Sequence, residues 1–504
     1  MSGIGLAIGA GDSLLRTSDY SRARRGASAT RARSLLDTAS DGRVVDAVFE
    51  GASAWLVNAE GGHEVVHGVS VRVEGSRIVE VSRTPLAAGE TIDLSGHLLL
   101  PGLISGHTHV AGGSSTRGLI EGGRSYARPL AIVEEALDDD ELDALTAFNL
   151  AELLRSGCTA QVEMSLSLRQ ARSYARVARR MGARGWVGGM IPGIGRLFPV
   201  WFGTDDDLAA SEADTLEEIR QNLDFARTLR DDPLVQGMMT PHAADTQTPA
   251  TLAAIADAAR ELGTGIHTHL SQGARETEAV LRRHGRTPTQ WLHEAGLMDG
   301  PFFGAHFTAP DWTVDPAILE QVGGVYATCP SAGGAGGDTQ PFPEALAAGI
   351  AVNVGIDTHS NDMIENVKLA VLLGQARAAL LRRIPDAPPH RAPTATDAVR
   401  GCTVTAADAL RRPDLGRIEV GAAADLVAVD VSGMLVGSGA PPPEPLNNLL
   451  YASGRSVSWV LVDGRVQVAD GSFVGADAET IVAAGGDAAR KIWTLLEAEG
   501  WFEG

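Results

Sequence analysis

The sequence predicts an α/β chain: a (β/α)8 TIM-like barrel inserted in a small β-sandwich built from both chain ends. Three observations carry this. Between residue 101 and about residue 395, short apolar runs alternate with amphipathic segments at the spacing of strand–crossover helix–strand units, and about eight such runs can be counted. Short strand-like segments separated by turn residues precede residue 100 and return after about residue 410. Histidines and carboxylates fall at the ends of the central runs, where a barrel of this kind gathers its chemistry.

Taken in order, residues 1–42 mix six arginines with Ser, Ala and Gly. Asp12 and Asp19 break the acid-poor pattern of a targeting peptide, so a mobile tail is expected. Residues 43–100 read as the first part of the sandwich, with strands such as 52–57, 69–73 and 77–81. The barrel is expected over 101–409. Its helices include 136–155, 168–181, 215–229, 249–262 and 287–295, each followed by a strand-like run. Residues 410–475 supply the second part of the sandwich, with strands at 424–429 and 457–462 around a Pro-rich loop. A C-terminal helix is expected within 476–504.

Composition narrows the function classes. At 504 residues and 44% hydrophobic content the chain can bury a large core. A net charge of -21 argues against nucleic acid or an anionic membrane surface as partner. No uncharged apolar stretch approaches the roughly 18 residues of a membrane span. Three widely separated cysteines make no disulfide framework, and a cytoplasmic location is expected. A small-molecule substrate and a homo-oligomer, dimer or larger, are expected.

The stretch 98–109 ends an apolar run in Ser105-Gly106-His107-Thr108-His109. On a strand, His107 and His109 point to one face. His242, His269, His306, Asp357 and Glu163 also fall at strand ends, whereas His63, His67, His284, His293 and His390 are scattered. Neutral imidazoles with a carboxylate are what a borderline divalent cation accepts, and such a cation acidifies water into a nucleophile. In this reading Asp357 is both ligand and base, His306 hydrogen-bonds the attacking or developing oxygen, and His242 faces the substrate's leaving side.

The motifs Leu100-Pro101-Gly102-Leu103-Ile104-Ser105-Gly106-His107-Thr108-His109, Pro241-His242-Ala243, His267-Thr268-His269-Leu270-Ser271-Gln272, Gly304-Ala305-His306 and Gly355-Ile356-Asp357 stand in this order. After them come 416–427 and Val462-Asp463-Gly464-Arg465. Over about residues 44–475 the set resembles the amidohydrolase superfamily, in the branch of chlorotriazine hydrolases and cytosine- or purine-type deaminases. The resemblance implies a metal held by His107, His109, His269 and Asp357, an assisting His306 and a substrate-contacting His242. One divalent ion is expected, zinc first, with Fe, Mn or Co suited to the same donors.

Two features refine it. Binuclear members often bridge two metals with a carboxylated barrel lysine, and no lysine precedes Lys368. Glu163 is the one residue that can replace such a bridge, or else it is structural or substrate-facing. Second, deaminases of the branch carry a proton-shuttling Glu where this chain has Gln272. An amide orients a substrate but moves no proton. The expected reaction is therefore hydrolysis at the carbonyl of a small amide, carbamate or urea, a pattern compatible with the phenylurea and thiocarbamate hydrolases of the branch. Deamination or dechlorination of a heteroaromatic ring is the alternative. The apolar loop 192–205 is either an active-site wall or a packing surface. The glycines of 333–337 can admit a substrate close to the backbone, and Thr358, His359 and Asn361 either line the pocket or face solvent.

Overall fold

The computed structural model describes residues 45–503 except 59–61, 88–89, 114–116, 120–123, 433–441 and 475–477. The tail expected over 1–42 lies outside the described residues. Five strands come first: β1 (Asp46–Val57), β2 (His63–Glu74), β3 (Arg77–Ser82), β4 (Thr91–Asp93) and β5 (His97–Pro101). Eight follow in the central region: β6 (Leu103–Thr108), β7 (Cys158–Ser165), β8 (Arg184–Gly189), β9 (Val235–Gly237), β10 (Ile266–Leu270), β11 (Phe302–His306), β12 (Val325–Thr328) and β13 (Ala351–Val354). Four close the order: β14 (Leu426–Asp430), β15 (Val457–Val462), β16 (Arg465–Ala469) and β17 (Ser472–Phe473).

The central eight are parallel and form two quartets, β6-β7-β8-β9 and β10-β11-β12-β13. Single parallel bridges, Met239 with Ile266 and Thr108 with Asp357, tie the two quartets at both of their outer edges. Every residue of β6, β7, β8, β10, β11 and β12 is buried, as expected for strands covered on both sides. Helices return the chain between strands. Asp139–Arg155 begins in a capping box of Asp138 and Glu141, and Leu168–Met181 starts on a Ser167 cap and stops at left-handed Gly182.

The strands from the two chain ends do meet, but hydrogen bonding joins them in one nine-stranded sheet, β17-β16-β15-β14-β5-β1-β2-β3 with β4 on β1. The junction is β5, antiparallel to β14 and parallel to β1. Strand alternation gives this sheet two buried faces. Leu98, Leu100, Val427, Val429, Val460 and Val462 enter the core shared with the central strands, while Leu99, Leu426, Ala428, Trp459 and Leu461 enter the sheet's own core. A buried ion pair adds a polar tie. Arg184, the first residue of β8, makes a bidentate pair with Asp425 at 2.8 and 3.0 Å and reaches Asp463 at 2.7 Å. Removing one partner of such a pair strands a buried charge and costs about 3–5 kcal/mol. This explains the aspartates of the two late motifs: they hold the sheet to the central strands and lie apart from the chemistry.

The segment expected as a loop at 192–205 is instead a helix, Ile194–Phe202, that runs through Pro199. Ile194, Leu197, Phe198 and Trp201 recur at i, i+3, i+4 and i+7, which is one helical face.

Candidate active site

The ends of the central strands bring the sequence-predicted residues together. His107 lies in β6 and His109 immediately follows it, His269 lies in β10, His306 ends β11, and Asp357 stands three residues beyond β13. The donor atoms of His107, His109 and His269 fall within 4.8 Å of one another, as do those of His107, His306 and Asp357. Asp357 Oδ1 is 3.6 Å from His109 Nε2 and 3.9 Å from His107 Nε2, and Oδ2 is 3.7 Å from His306 Nε2. His109 and His269 face each other Nε2 to Nε2 at 3.4 Å.

The protons on these rings can be placed from their partners. His109 Nδ1 lies 2.5 Å from the Met164 carbonyl and His269 Nδ1 lies 2.8 Å from the His242 carbonyl. A carbonyl only accepts, so both Nδ1 atoms carry hydrogen and both Nε2 lone pairs are free. His107 Nδ1 pairs with His267 Nε2 at 2.7 Å, and His107 Nε2 is buried with no hydrogen-bond partner. Burial holds all of these rings below the usual imidazole pKa. His107 and His269 lie well below it because neighbouring imidazoles add to the burial, and in His109 and His306 burial outweighs the opposing Asp357. Burial, with His109 and His306, pushes His242 down to about 3. Neutral imidazoles with inward Nε2 lone pairs beside a carboxylate fit a divalent cation, and the orphaned Nε2 of His107 is the observation that tests the fit.

The backbone is shaped to make this convergence. His306 and Asp357 both sit at positive φ, 78° and 62°, a conformation that non-glycine residues adopt at a cost of about 1–3 kcal/mol and that concentrates at functional sites. Gly355 is required by close approach, because a Cβ there would meet Cys329 Sγ at 2.8 Å and His107 Cβ at 3.0 Å. Gly106 likewise leaves room for Asn353 Oδ1, which accepts its N–H at 2.6 Å.

Glu163 is not in either donor triad. Both its oxygens are engaged by Thr108 Oγ1 (2.7 Å), Ser165 Oγ (2.7 Å) and the Val110 N–H (3.1 Å). It therefore grips the residues on either side of His109, and burial pushes its pKa up to about 7.

His109, His242, His269, Gln272, His306 and Asp357 line one cavity of about 600 Å³. Thr358, His359 and Gly333 line it too, whereas Asn361 turns away to Asn149 and Glu152 at 3.0 Å each. The half-buried Gln272 donates its backbone N–H to Glu276 at 2.7 Å. Glu276 is buried beneath it and Glu278 is exposed; neither lines the cavity.

Sequence reasoning missed two supporting residues. His267 is the buried partner of His107, and its place two residues before His269 on the same strand face was the available signal. Gln340 donates to His306 Nδ1 at 3.2 Å, and nothing in its local sequence marks it.

Residues 98–466 match the model of the amidohydrolase family. The 5-methylthioadenosine/S-adenosylhomocysteine deaminase of Nitratidesulfovibrio vulgaris is 29% identical over 452 residues, covering 86% of this chain and 93% of that one. The hydroxydechloroatrazine ethylaminohydrolase of Pseudomonas sp. (strain ADP) is 28% identical over 466 residues, covering 87% and 94%. Among solved structures, a zinc-bound adenosine deaminase from Xanthomonas campestris aligns at a TM-score of 0.73 and 26% identity, over 89% of this chain and 99% of that one. The zinc complex of the atrazine chlorohydrolase from Arthrobacter aurescens TC1 aligns at 0.73 and 22%, over 88% and 100%, a likeness of fold. With the greater part of its length matched by the family model, the chain belongs to the amidohydrolase family.

Proposed function

We propose that this enzyme hydrolytically displaces an amine or halide from a carbon of a heteroaromatic ring, using one zinc-type divalent ion held by His107, His109, His269 and Asp357. The observation that carries it is the convergence of that donor set with His242, Gln272 and His306 in a single cavity. The relatives named for the deamination of adenosine derivatives and for the release of ethylamine from hydroxydechloroatrazine support ring chemistry. Neither of these relatives is named for the amide, carbamate or urea expected from Gln272. The two strand quartets, with their edge bridges, are read as one barrel over 101–409, inserted between 43–100 and 410–475. A homo-oligomer in the cytoplasm remains part of the proposal; among the described residues no helix is long and apolar enough to cross a membrane.

When bound, such an ion supplies Lewis acidity that lowers the pKa of water to near neutrality. The chain's own residues do the rest. Asp357, between His109 and His306, accepts the proton of the attacking water and passes it to a departing amine, whereas a halide leaves as its anion. His306 donates from Nε2 to the oxygen, because its Nδ1 is kept as an acceptor by Gln340. Thr246 commits its hydroxyl hydrogen to the Ala243 carbonyl at 3.0 Å, so it accepts from His242 Nδ1 at 3.3 Å. That leaves His242 Nε2 to accept a hydrogen bond from a substrate N–H, with too low a pKa to act as a base. Gln272 orients a ring nitrogen without transferring a proton.

The test is an assay of zinc-loaded protein on aminated and chlorinated purines, pterins and triazines, with ureas, carbamates and amides in parallel. Ammonia, alkylamine or chloride release from the rings is expected. Turnover confined to the acyclic carbonyl compounds would refute the reading.

A further inference from the structure

We infer that the ring substrate carries an uncharged apolar arm, which lies along the face of the helix Ile194–Phe202 made by Ile194, Leu197, Phe198 and Trp201. This rests on the ring-hydrolase reading and names its substrate class more narrowly. All four residues line the same cavity as His242, His269 and Asp357. An apolar helical face ordinarily disappears into a core. Here Ile194 and Leu197 are buried against Leu166 and Met190 in a small cluster separate from the main core, while Phe198 and Trp201 are only half-buried. The cluster therefore presents unfilled aromatic surface to the cavity.

The wall is fixed relative to the chemistry. The Trp201 ring stands edge-on to His242 with centroids 4.8 Å apart. Arg275, three residues beyond Gln272, stacks over the Phe202 ring at 4.5 Å and donates to the Trp201 carbonyl. An arm leaving the ring on the His242 side meets Trp201 first and then Phe198 and Leu197. A cavity of about 600 Å³ has room for this beside the ring.

Charge disfavours an anionic arm. Among the described lining residues the sole guanidinium is Arg124, an exposed residue set over the Trp501 ring at 5.4 Å, and the carboxylates Asp338 and Asp357 line the same space. A carboxylate or phosphate on the arm would exchange its hydration for hydrocarbon.

The experiment is calorimetric binding of a matched series of hydroxylated ring products to the zinc-loaded protein: unsubstituted, ethyl, butyl and carboxyethyl. Affinity is expected to rise about threefold to fourfold per methylene up to butyl. The carboxyethyl compound is expected to bind at least about tenfold more weakly than the butyl one, and Leu197→Asn to flatten the series. The series in the unaltered protein decides the matter even if that variant fails to fold. A flat series, a preference for the carboxylate or no binding of any ring overturns the inference. A rising series without ammonia, amine or chloride release supports the apolar-arm site and counts against the ring-hydrolase reading. Turnover with a flat series does the reverse.

Discussion

Gln340 and His306 are joined by a hydrogen bond whose direction is fixed from behind. The Gln340 side-chain carbonyl accepts the Cys329 N–H at 2.5 Å and the Thr328 hydroxyl at 3.2 Å. Its Nε2 must then be the atom that donates to His306 Nδ1 at 3.2 Å, which leaves the His306 proton on Nε2, facing Asp357. Gln340→Leu frees the ring to adopt the other tautomer. A 10–100-fold loss in kcat with little change in KM is expected, in line with losses seen when partners of site histidines are removed. An equal rise in KM with kcat unchanged would mean that His306 only binds.

Gln272→Glu puts a proton carrier where the chain has an amide. If ring protonation limits turnover, deamination should accelerate by at least about tenfold, since acid–base help is typically worth 10²–10⁴-fold. Chloride release should change less, because chloride departs without a proton. Steady-state rates on a matched aminated and chlorinated ring read this directly, and no difference between the two leaving groups would contradict it.

Glu276 makes stability depend on pH. Burial and the nearby Asp245 push its pKa from 4.5 up to about 8. The folded chain thus keeps a proton that the unfolded chain releases, so this group's contribution is at its best below about pH 4.5. It declines as pH rises through that range and levels off above about 8. Asp245, itself raised chiefly by burial, acts with the same sign. Urea unfolding at pH 6 and pH 8.5 should show Glu276→Gln losing less stability over that interval than the unaltered protein. Parallel curves would remove Glu276 from the account.

Much of the fold was legible because its periods are strong. The helices expected at 168–181 and 249–262 occur as Leu168–Met181 and Pro249–Leu262, since each carries a Ser or Thr cap at its start and a left-handed glycine at its end. The segment 192–205 was misread because its aromatic residues, Pro199 and flanking glycines signal a loop, although a four-residue helical face was present. The single nine-stranded sheet was not legible either, since register between chain ends 300 and more residues apart leaves no local mark. At the site, the ligand candidates were legible from their strand-end positions. Glu163 was not resolved by sequence, because gripping Thr108 and Val110 depends on the pairing of β6 with β7. The carbonyl hydrolysis expected from Gln272 rested on one position, whereas the relatives named for ring substrates support the alternative reading.

The central claim is that one ion, on His107, His109, His269 and Asp357, drives the reaction. It is tested most directly by titrating metal-stripped protein with zinc while following amine or chloride release from a turned-over ring. The account predicts activity that rises linearly and saturates at about one equivalent per chain, with none regained in His109→Ala. Saturation at two equivalents, or full activity in the stripped protein, would contradict it.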